Sequence, residues 1–130
     1  MKASELMIGD WVQDITPCVI DAISNEDICT YRNVDGYITA NPSNLKPIPL
    51  TAEILEKNGF ERRKLDGGAE HFVFADDYYD IVVYEWSDSI WVFRYESCEL
   101  TIPHEQRTMS YLHQFQHAFH DCGIDKEIVL

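Results

Sequence analysis

The sequence predicts an α+β fold from three observations. Short apolar runs separated by turn-forming residues fill residues 1–50 and recur between residues 60 and 102, as in antiparallel strands. A capped helical segment runs from Thr51 to Gly59, and a second apolar series recurs at helical spacing from residue 112 to 122. We therefore expect a small β-module in residues 1–50 and an antiparallel sheet with two helices in residues 51–130.

The first 50 residues predict a small, strongly bent sheet or barrel. The opening Leu6-Met7-Ile8-Gly9-Asp10-Trp11-Val12 looks like the first strand of SH3-like barrels, and Gly9 permits the turn before it. Further strands are expected at residues 18–23, 28–31 and 37–40, with a tight turn at Asp35-Gly36. Pro42, Pro47 and Pro49 then mark the module boundary, because each disfavours helix in the preceding residue.

The helix that follows has signals at both ends. The Thr51 hydroxyl is placed to cap the first turn, and Leu50 and Leu55 occupy the two positions of a hydrophobic staple. Gly59 can adopt the left-handed conformation that ends a helix, which would fold Phe60 back onto Leu55.

The second module alternates between strand and turn patterns before its final helix. Four strands are predicted at residues 60–65, 71–74, 79–86 and 90–95, and a fifth at Leu100–Ile102, stopped by Pro103. Trp91, Phe93 and Tyr95 share one strand face, which we interpret as core. The last helix is expected to run from about Thr108 or Ser110 to Cys122, with Leu112, Phe115 and Phe119 facing the sheet.

The charge balance narrows the classes of partner. The chain has 10 basic and 23 acidic residues, giving a net charge of −13, of which residues 1–50 contribute −4. Binding to a nucleic-acid backbone or an anionic membrane is disfavoured, because both are bound by clustered Lys and Arg. A protein partner fits better, and the oligomeric state is left open. Residues 1–10 show no targeting segment, so the expected location is the cytoplasm.

Reaction machinery is not visible in the sequence. The cysteines at positions 18, 29, 98 and 122 form no CxxC pair and are expected to be buried thiols. No GxSxG elbow, P-loop or GxGxxG motif is present. We therefore predict no catalytic residue, no cofactor and no enzymatic activity.

Three histidines near the C-terminus form the sharpest candidate site. His113, His117 and His120 fall within about 60° of one another around a helix axis, roughly opposite Phe115 and Phe119. Imidazoles in this arrangement could bind zinc or another borderline metal. His113 and His120 lie about 10.5 Å apart along the axis, so two histidines with an outside ligand make the better geometry. A solvated polar helix face is the alternative interpretation.

Two charged runs have plainer interpretations. The acidic run at residues 76–80 could bind a hard cation, but it lacks EF-hand spacing and is better explained as a charged turn capping a hairpin. The basic run Arg62-Arg63-Lys64 is expected to pair with nearby carboxylates rather than to bind phosphate.

Three segments together carry a family resemblance. They are Leu6–Val12, then Pro47-Ile48-Pro49-Leu50-Thr51 leading into Asn58-Gly59-Phe60, and finally Tyr111-Leu112-His113-Gln114-Phe115-Gln116. The chain resembles a family of small uncharacterised proteins from gut bacteria and their phages or prophages. At two positions it departs from the family pattern, having Phe115 for Leu and His117 for Asn. The resemblance implies a context in a bacterium or mobile element, and no mechanism.

Three functional hypotheses follow. The first is a non-catalytic protein-interaction module, whose acidic surface could also mimic nucleic acid. The second is a metal-binding protein or small enzyme that uses the C-terminal histidines. The third is a structural component of a larger assembly.

Overall fold

The computed structural model describes residues 1–65, 67–75, 79–97 and 103–130. The predicted α+β class is confirmed, since these residues form two five-stranded antiparallel sheets and two α-helices. The chain divides into two compact units. Unit 1 contains Met1–Pro49 and Tyr111–His117, and unit 2 contains Leu50–Ser110 and Ala118–Leu130.

Unit 1 contains a five-stranded sheet in the order β4-β3-β2-β1-β5. Its strands are β1 (Trp11–Gln13), β2 (Pro17–Asn25), β3 (Ile28–Asn33), β4 (Gly36–Ala40) and β5 (Lys46–Pro47). Single 3₁₀ turns lie at Ala3–Glu5 and at Pro42–Asn44, the second joining β4 to β5. Because β5 pairs with β1, the two edges of the sheet are β5 and β4. The SH3-like barrel stays a prediction.

The core of unit 1 is formed by one face of this sheet. Cys18, Ile20, Cys29 and Tyr31 alternate with more exposed neighbours along β2 and β3, and all four are buried. Leu6, Val12 and Leu45 complete the cluster. This period of two is the pattern expected of a strand with one buried face.

Unit 2 begins with α1 (Ala52–Lys57), whose ends form as the sequence predicts. The Thr51 hydroxyl accepts from the Ile54 N–H at 3.3 Å. At the other end, the Phe60 N–H donates to the Leu55 carbonyl and the Gly59 N–H to the Glu56 carbonyl, the Schellman pattern that a positive φ at Gly59 allows.

The second sheet is a meander in the order β10-β9-β8-β7-β6. Its strands are β6 (Glu61–Lys64), β7 (Glu70–Ala75), β8 (Tyr79–Ser87), β9 (Ile90–Ser97) and β10 (Pro103–Met109). Aromatic rings fill the core of this unit, where Phe119 meets Phe93 and Phe60 edge-on, with ring centroids 5.9 and 6.2 Å apart. Trp91 and Phe93 of the predicted core stripe are buried, whereas Tyr95, its third member, is half-buried.

The start of the last helix differs from the prediction. Thr108 belongs to β10, which pairs with β9 through Met109 opposite Trp91, and α2 runs over Leu112–Asp121. Pairing with β9 makes this segment a strand, because its polar sequence lacks the alternation of apolar and polar residues that predicts one. The helix begins where Gln114 reaches back to the Tyr111 N–H at 3.1 Å, as in a capping box. The strand expected at Leu100–Ile102 lies outside the described residues.

Domain membership also differs in one segment from the predicted division at residue 50. Tyr111–His117 belongs to unit 1 rather than to the module of residues 51–130. Two contacts account for this: the Leu112 N–H donates to the Ile48 carbonyl at 2.8 Å, and Tyr111 forms a β-bridge with Pro49.

Candidate functional site

The three predicted histidines occupy different environments on α2. His113 is buried, and the His117 side chain is 23% exposed, whereas the His120 side chain is 70% exposed. The rings of His113 and His117 are neighbours, with centroids 5.6 Å apart and planes nearly perpendicular. The Nδ1 atom of His120 lies 3.5 Å from a carboxylate oxygen of Asp121. The alternative of a uniformly solvated helix face is therefore wrong for His113.

His117 is held by a carboxylate that sequence reasoning missed. Its Nε2 atom lies 2.8 and 3.0 Å from the two carboxylate oxygens of Asp10, a side chain that is only 3% exposed. The same carboxylate accepts from the Met7 N–H at 2.8 Å. The buried charge of Asp10 thus has two hydrogen-bond donors, which is how a buried carboxylate is normally stabilised.

The turn before β1 places Asp10 for this contact. Gly9 has a φ of +94°, and the Asp10 N–H donates to the Met7 carbonyl at 3.1 Å, which closes the turn. Gln116 then binds the backbone on both sides of Asp10. Its side-chain amide donates to the Gly9 carbonyl at 2.9 Å, and its carbonyl oxygen accepts from the Trp11 N–H at 2.8 Å. Two consecutive helix residues therefore fix one turn within unit 1.

His113 has no comparable partner. Burial lowers its pKa, an effect that the nearby Asp10 carboxylate opposes and His117 reinforces. Its Nδ1 atom is buried without a hydrogen-bond partner. Tyr111 stacks against the ring with centroids 6.0 Å apart. Loss of hydration thus favours the neutral imidazole at this position.

The chemical capacity of this cluster is limited by its geometry. Asp10 orients His117 as a carboxylate orients a metal-binding histidine, which leaves the Nδ1 atom of His117 as the available ligand. Burial is the main cause that raises the pKa of Cys18 to about 11, so this thiol of unit 1 is a poor nucleophile at neutral pH. Within the described ranges, no group of three or more His, Cys, Asp or Glu side chains is arranged to hold a metal ion. The metal site of His113, His117 and His120 stays a prediction.

The other charged candidates are resolved in part. Arg62 pairs with Glu56 at 2.6 Å and with Glu70 at 3.5 Å, and Arg63 pairs with Glu61 at 3.3 Å, as the sequence predicts for the basic run. Residues 76–78 of the acidic run lie outside the described residues. Cys18 and Cys29 are free and buried, as expected. Cys122 forms no disulfide and is half-buried rather than buried, and Cys98 lies outside the described residues.

A second candidate site is the edge of the unit 1 sheet. We define the β4 edge as the strand Gly36–Ala40 together with the turn residue Val34. Val34 is 94% exposed and Tyr37 is 67% exposed, while Ile38 is 39% exposed although it lies opposite the buried Tyr31. Four of the eleven exposed large hydrophobic residues in the described chain lie between residues 28 and 38. Three of these four residues, Val34, Tyr37 and Ile38, belong to the β4 edge, and Ile28 lies on β3.

The other edge strands of the described sheets differ in sequence from β4. The edge strand β6 consists of Glu61, Arg62, Arg63 and Lys64, all exposed. The edge strand β5 has two residues, Lys46 and Pro47, and the edge strand β10 contains proline and charged residues. Charges, prolines and short length are the usual protection of an edge against pairing. The β4 strand carries none of them, and this contrast singles it out.

Comparison with known proteins gives no match, whether to a family model, to a curated protein or to a solved structure. In the described part of the chain, neither helix has both the length and the apolar character needed to cross a bilayer.

Proposed function

We propose that this chain is a non-catalytic protein-interaction module that binds its partner through the β4 edge. The observation that carries the proposal is an uncharged edge strand, Gly36-Tyr37-Ile38-Thr39-Ala40, that pairs with β3 on one side only. An edge strand of this kind presents unpaired backbone N–H and C=O groups that a partner strand can satisfy. Addition of an extended segment to a sheet edge is a common mode of peptide recognition.

The side chains along this edge supply apolar contact as well. Tyr37 and Thr39 lie on one face of the strand, and Ile38 lies on the other, beside the partly exposed margin of the core. Aromatic and β-branched side chains form the most favourable cross-strand pairs. A bound strand would therefore gain both backbone hydrogen bonds and side-chain contacts on the two faces of the sheet.

The biological setting is part of the same proposal. The resemblance in three segments supports an origin in gut bacteria or their phages and prophages, with the protein acting in the cytoplasm. The neighbouring genes test this setting. Phage structural genes or a basic host-directed protein beside the gene support it, and a conserved metabolic operon contradicts it.

A peptide selection tests the docking proposal directly. A random peptide library is selected against the wild-type chain, and the enriched peptides are measured against Thr39→Lys, which places a charge on the edge. Thr16→Lys is the matched control, because Thr16 is also exposed in unit 1 but lies in the turn between β1 and β2. We expect Thr39→Lys to weaken binding by about 10-fold or more and Thr16→Lys to leave it unchanged. Equal effects of the two variants contradict the proposal.

A metal-binding function is the second candidate, favoured by one observation. The adjacent rings of His113 and His117, with an unpartnered Nδ1 atom on His113, resemble an incomplete metal site. Zinc and nickel titrations followed by thermal shift test this function. A site that needs all three histidines loses its response in His120→Asn, whereas a two-histidine site keeps it. Absence of any metal response in the wild-type chain contradicts both versions.

A further inference from the structure

The charges around the β4 edge are arranged in a pattern. Asp35 lies in the turn at one end of the strand, and Glu26 and Asp27 lie in the turn that adjoins its other end, beside the Cys29–Ala40 pair. All three acidic residues are exposed. Arg32 of β3 lies opposite Tyr37, one pair away from the Asp35 turn, and the middle residue Ile38 lies opposite Tyr31. Acidic residues therefore lie at both ends of the edge, and the Tyr31–Ile38 pair at its centre is uncharged.

If β4 docks a partner strand, as proposed, this pattern selects among partners. We infer that the ligand of the β4 edge is an extended protein segment with an apolar centre and Lys or Arg residues at both ends. Five strand residues span about 17 Å, so the basic residues need to be separated by about six positions. A cation in the middle of the segment would face the uncharged Ile38 and gain no acidic partner, and a segment with acidic ends would meet like charge at both turns.

A second copy of this chain is a poorer occupant of the same edge. Antiparallel pairing of two β4 strands about Ile38 places Asp35 of one copy beside the end of the other strand, near Asp27. Residues 1–50 already carry three basic and seven acidic residues, so the pairing brings two negative units together. A basic segment removes this repulsion, and charge complementarity therefore favours it over self-association.

Three synthetic peptides test the inference. The first has a Val-Thr-Val-Thr-Val centre with two Lys at each end. The second has the same centre with two Glu at each end. The third has the composition of the first, but its four Lys are in the middle. The third peptide is the essential control, because any cationic peptide is attracted to a chain with a net charge of −13.

We expect the end-basic peptide to bind at least about 10-fold more tightly than either of the others, by fluorescence anisotropy. The double variant Asp27→Asn and Asp35→Asn should weaken its binding by about 3- to 10-fold, because two exposed ion pairs are lost. The control variant Asp125→Asn with Glu127→Gln removes the same charge from exposed positions of the C-terminal segment and should have no specific effect. Rising salt should reduce the difference between the peptides.

The possible failures are distinguishable. If the end-basic and end-acidic peptides bind equally and both are weakened by Thr39→Lys, the edge docks strands but the charge preference is wrong. If the end-basic and middle-basic peptides bind equally, only the net charge is being sensed, and the inference fails. If Thr39→Lys affects no peptide, the proposed function fails as well. A concentration-dependent dimer that Thr39→Lys dissociates identifies a second copy as the occupant and overturns the inference.

Discussion

Removal of the Asp10 carboxylate should destabilise the folded chain far more than removal of an exposed acid. In Asp10→Ala, the Met7 N–H and the His117 ring lose their shared acceptor at a site that is only 3% exposed. A hydrogen bond that involves a charged group contributes about 1.5–3 kcal/mol, and the buried N–H left behind adds about 1 kcal/mol or more. We therefore expect a loss of about 3–4 kcal/mol in the free energy of unfolding, against less than about 0.5 kcal/mol for the exposed Asp125→Ala.

A double-mutant cycle isolates the interaction between the two side chains. His117→Ala should lower the free energy of unfolding by about 2–3 kcal/mol. This loss is smaller than that for breaking a fully buried ion pair, because the 23% exposure of the His117 side chain lets water reach the carboxylate. The double variant should then cost less than the sum of the two single variants, giving a coupling free energy of about 1.5–3 kcal/mol.

Urea unfolding followed by circular dichroism provides the measurement, with an unchanged m-value as the check that the unfolded state is not altered. Asp10→Asn is an internal control, since its remaining carbonyl oxygen can still accept from Met7, and should lose only about 1–2 kcal/mol. A coupling below about 0.5 kcal/mol refutes the contact between Asp10 and His117 as described.

Three further predictions concern other parts of the fold. Iodoacetamide at about pH 8 should modify the half-buried Cys122 well before Cys18, because burial raises the pKa of the Cys18 thiol to about 11. Peptide mass mapping that finds Cys18 modified first contradicts the burial of this thiol. The hydrogen bond of the Tyr31 hydroxyl with Asp14, together with burial, raises the Tyr31 pKa to about 12, so the folded state holds this proton more tightly than the unfolded chain. Its contribution to stability is then complete below about pH 10 and is lost as the pH rises toward about 12, and Asp14→Asn should flatten this loss in urea unfolding across that range. Gly59→Ala should lower the free energy of unfolding by about 1–2 kcal/mol, because Gly59 has a φ of +88° that alanine rarely adopts. The new Cβ adds no clash, since it would meet Phe74 at an ordinary 3.7 Å. Gly59→Asn should lose less stability than Gly59→Ala when both are measured by thermal unfolding.

The parts of the fold that could be predicted are those determined by neighbouring residues. Helix α1 follows from the Thr51 cap and the Gly59 stop, because both signals act within a single turn of helix. Strands β7 and β9 follow from short continuous runs of aromatic and β-branched residues bounded by turns. Strand β10 could not be predicted in this way, because pairing with β9 rather than its own sequence pattern makes it a strand.

For the candidate sites as well, local features could be predicted from the sequence and long-range contacts could not. The histidine spacing on α2 was visible in the sequence, but the partner of His117 lies 107 positions away at Asp10, and a single sequence gives no sign of that contact. The sequence indicates a turn at Gly9-Asp10, but it does not indicate that the Asp10 side chain is buried. The β4 edge was visible only as a short strand. Whether β4 can pair with a partner strand depends on strand order. An uncharged strand inside a sheet is already paired on both sides, whereas the same strand at an edge is open to pairing.

Amide hydrogen exchange with the end-basic peptide bound is the most direct measurement of strand docking at β4. If the peptide docks as a strand on β4, backbone amides of Gly36–Ala40 gain protection when the peptide is added, while those of the charged edge strand Glu61–Lys64 do not change. Protection that appears at Glu61–Lys64 or on α2, with exchange in Gly36–Ala40 unaltered, contradicts strand docking at β4.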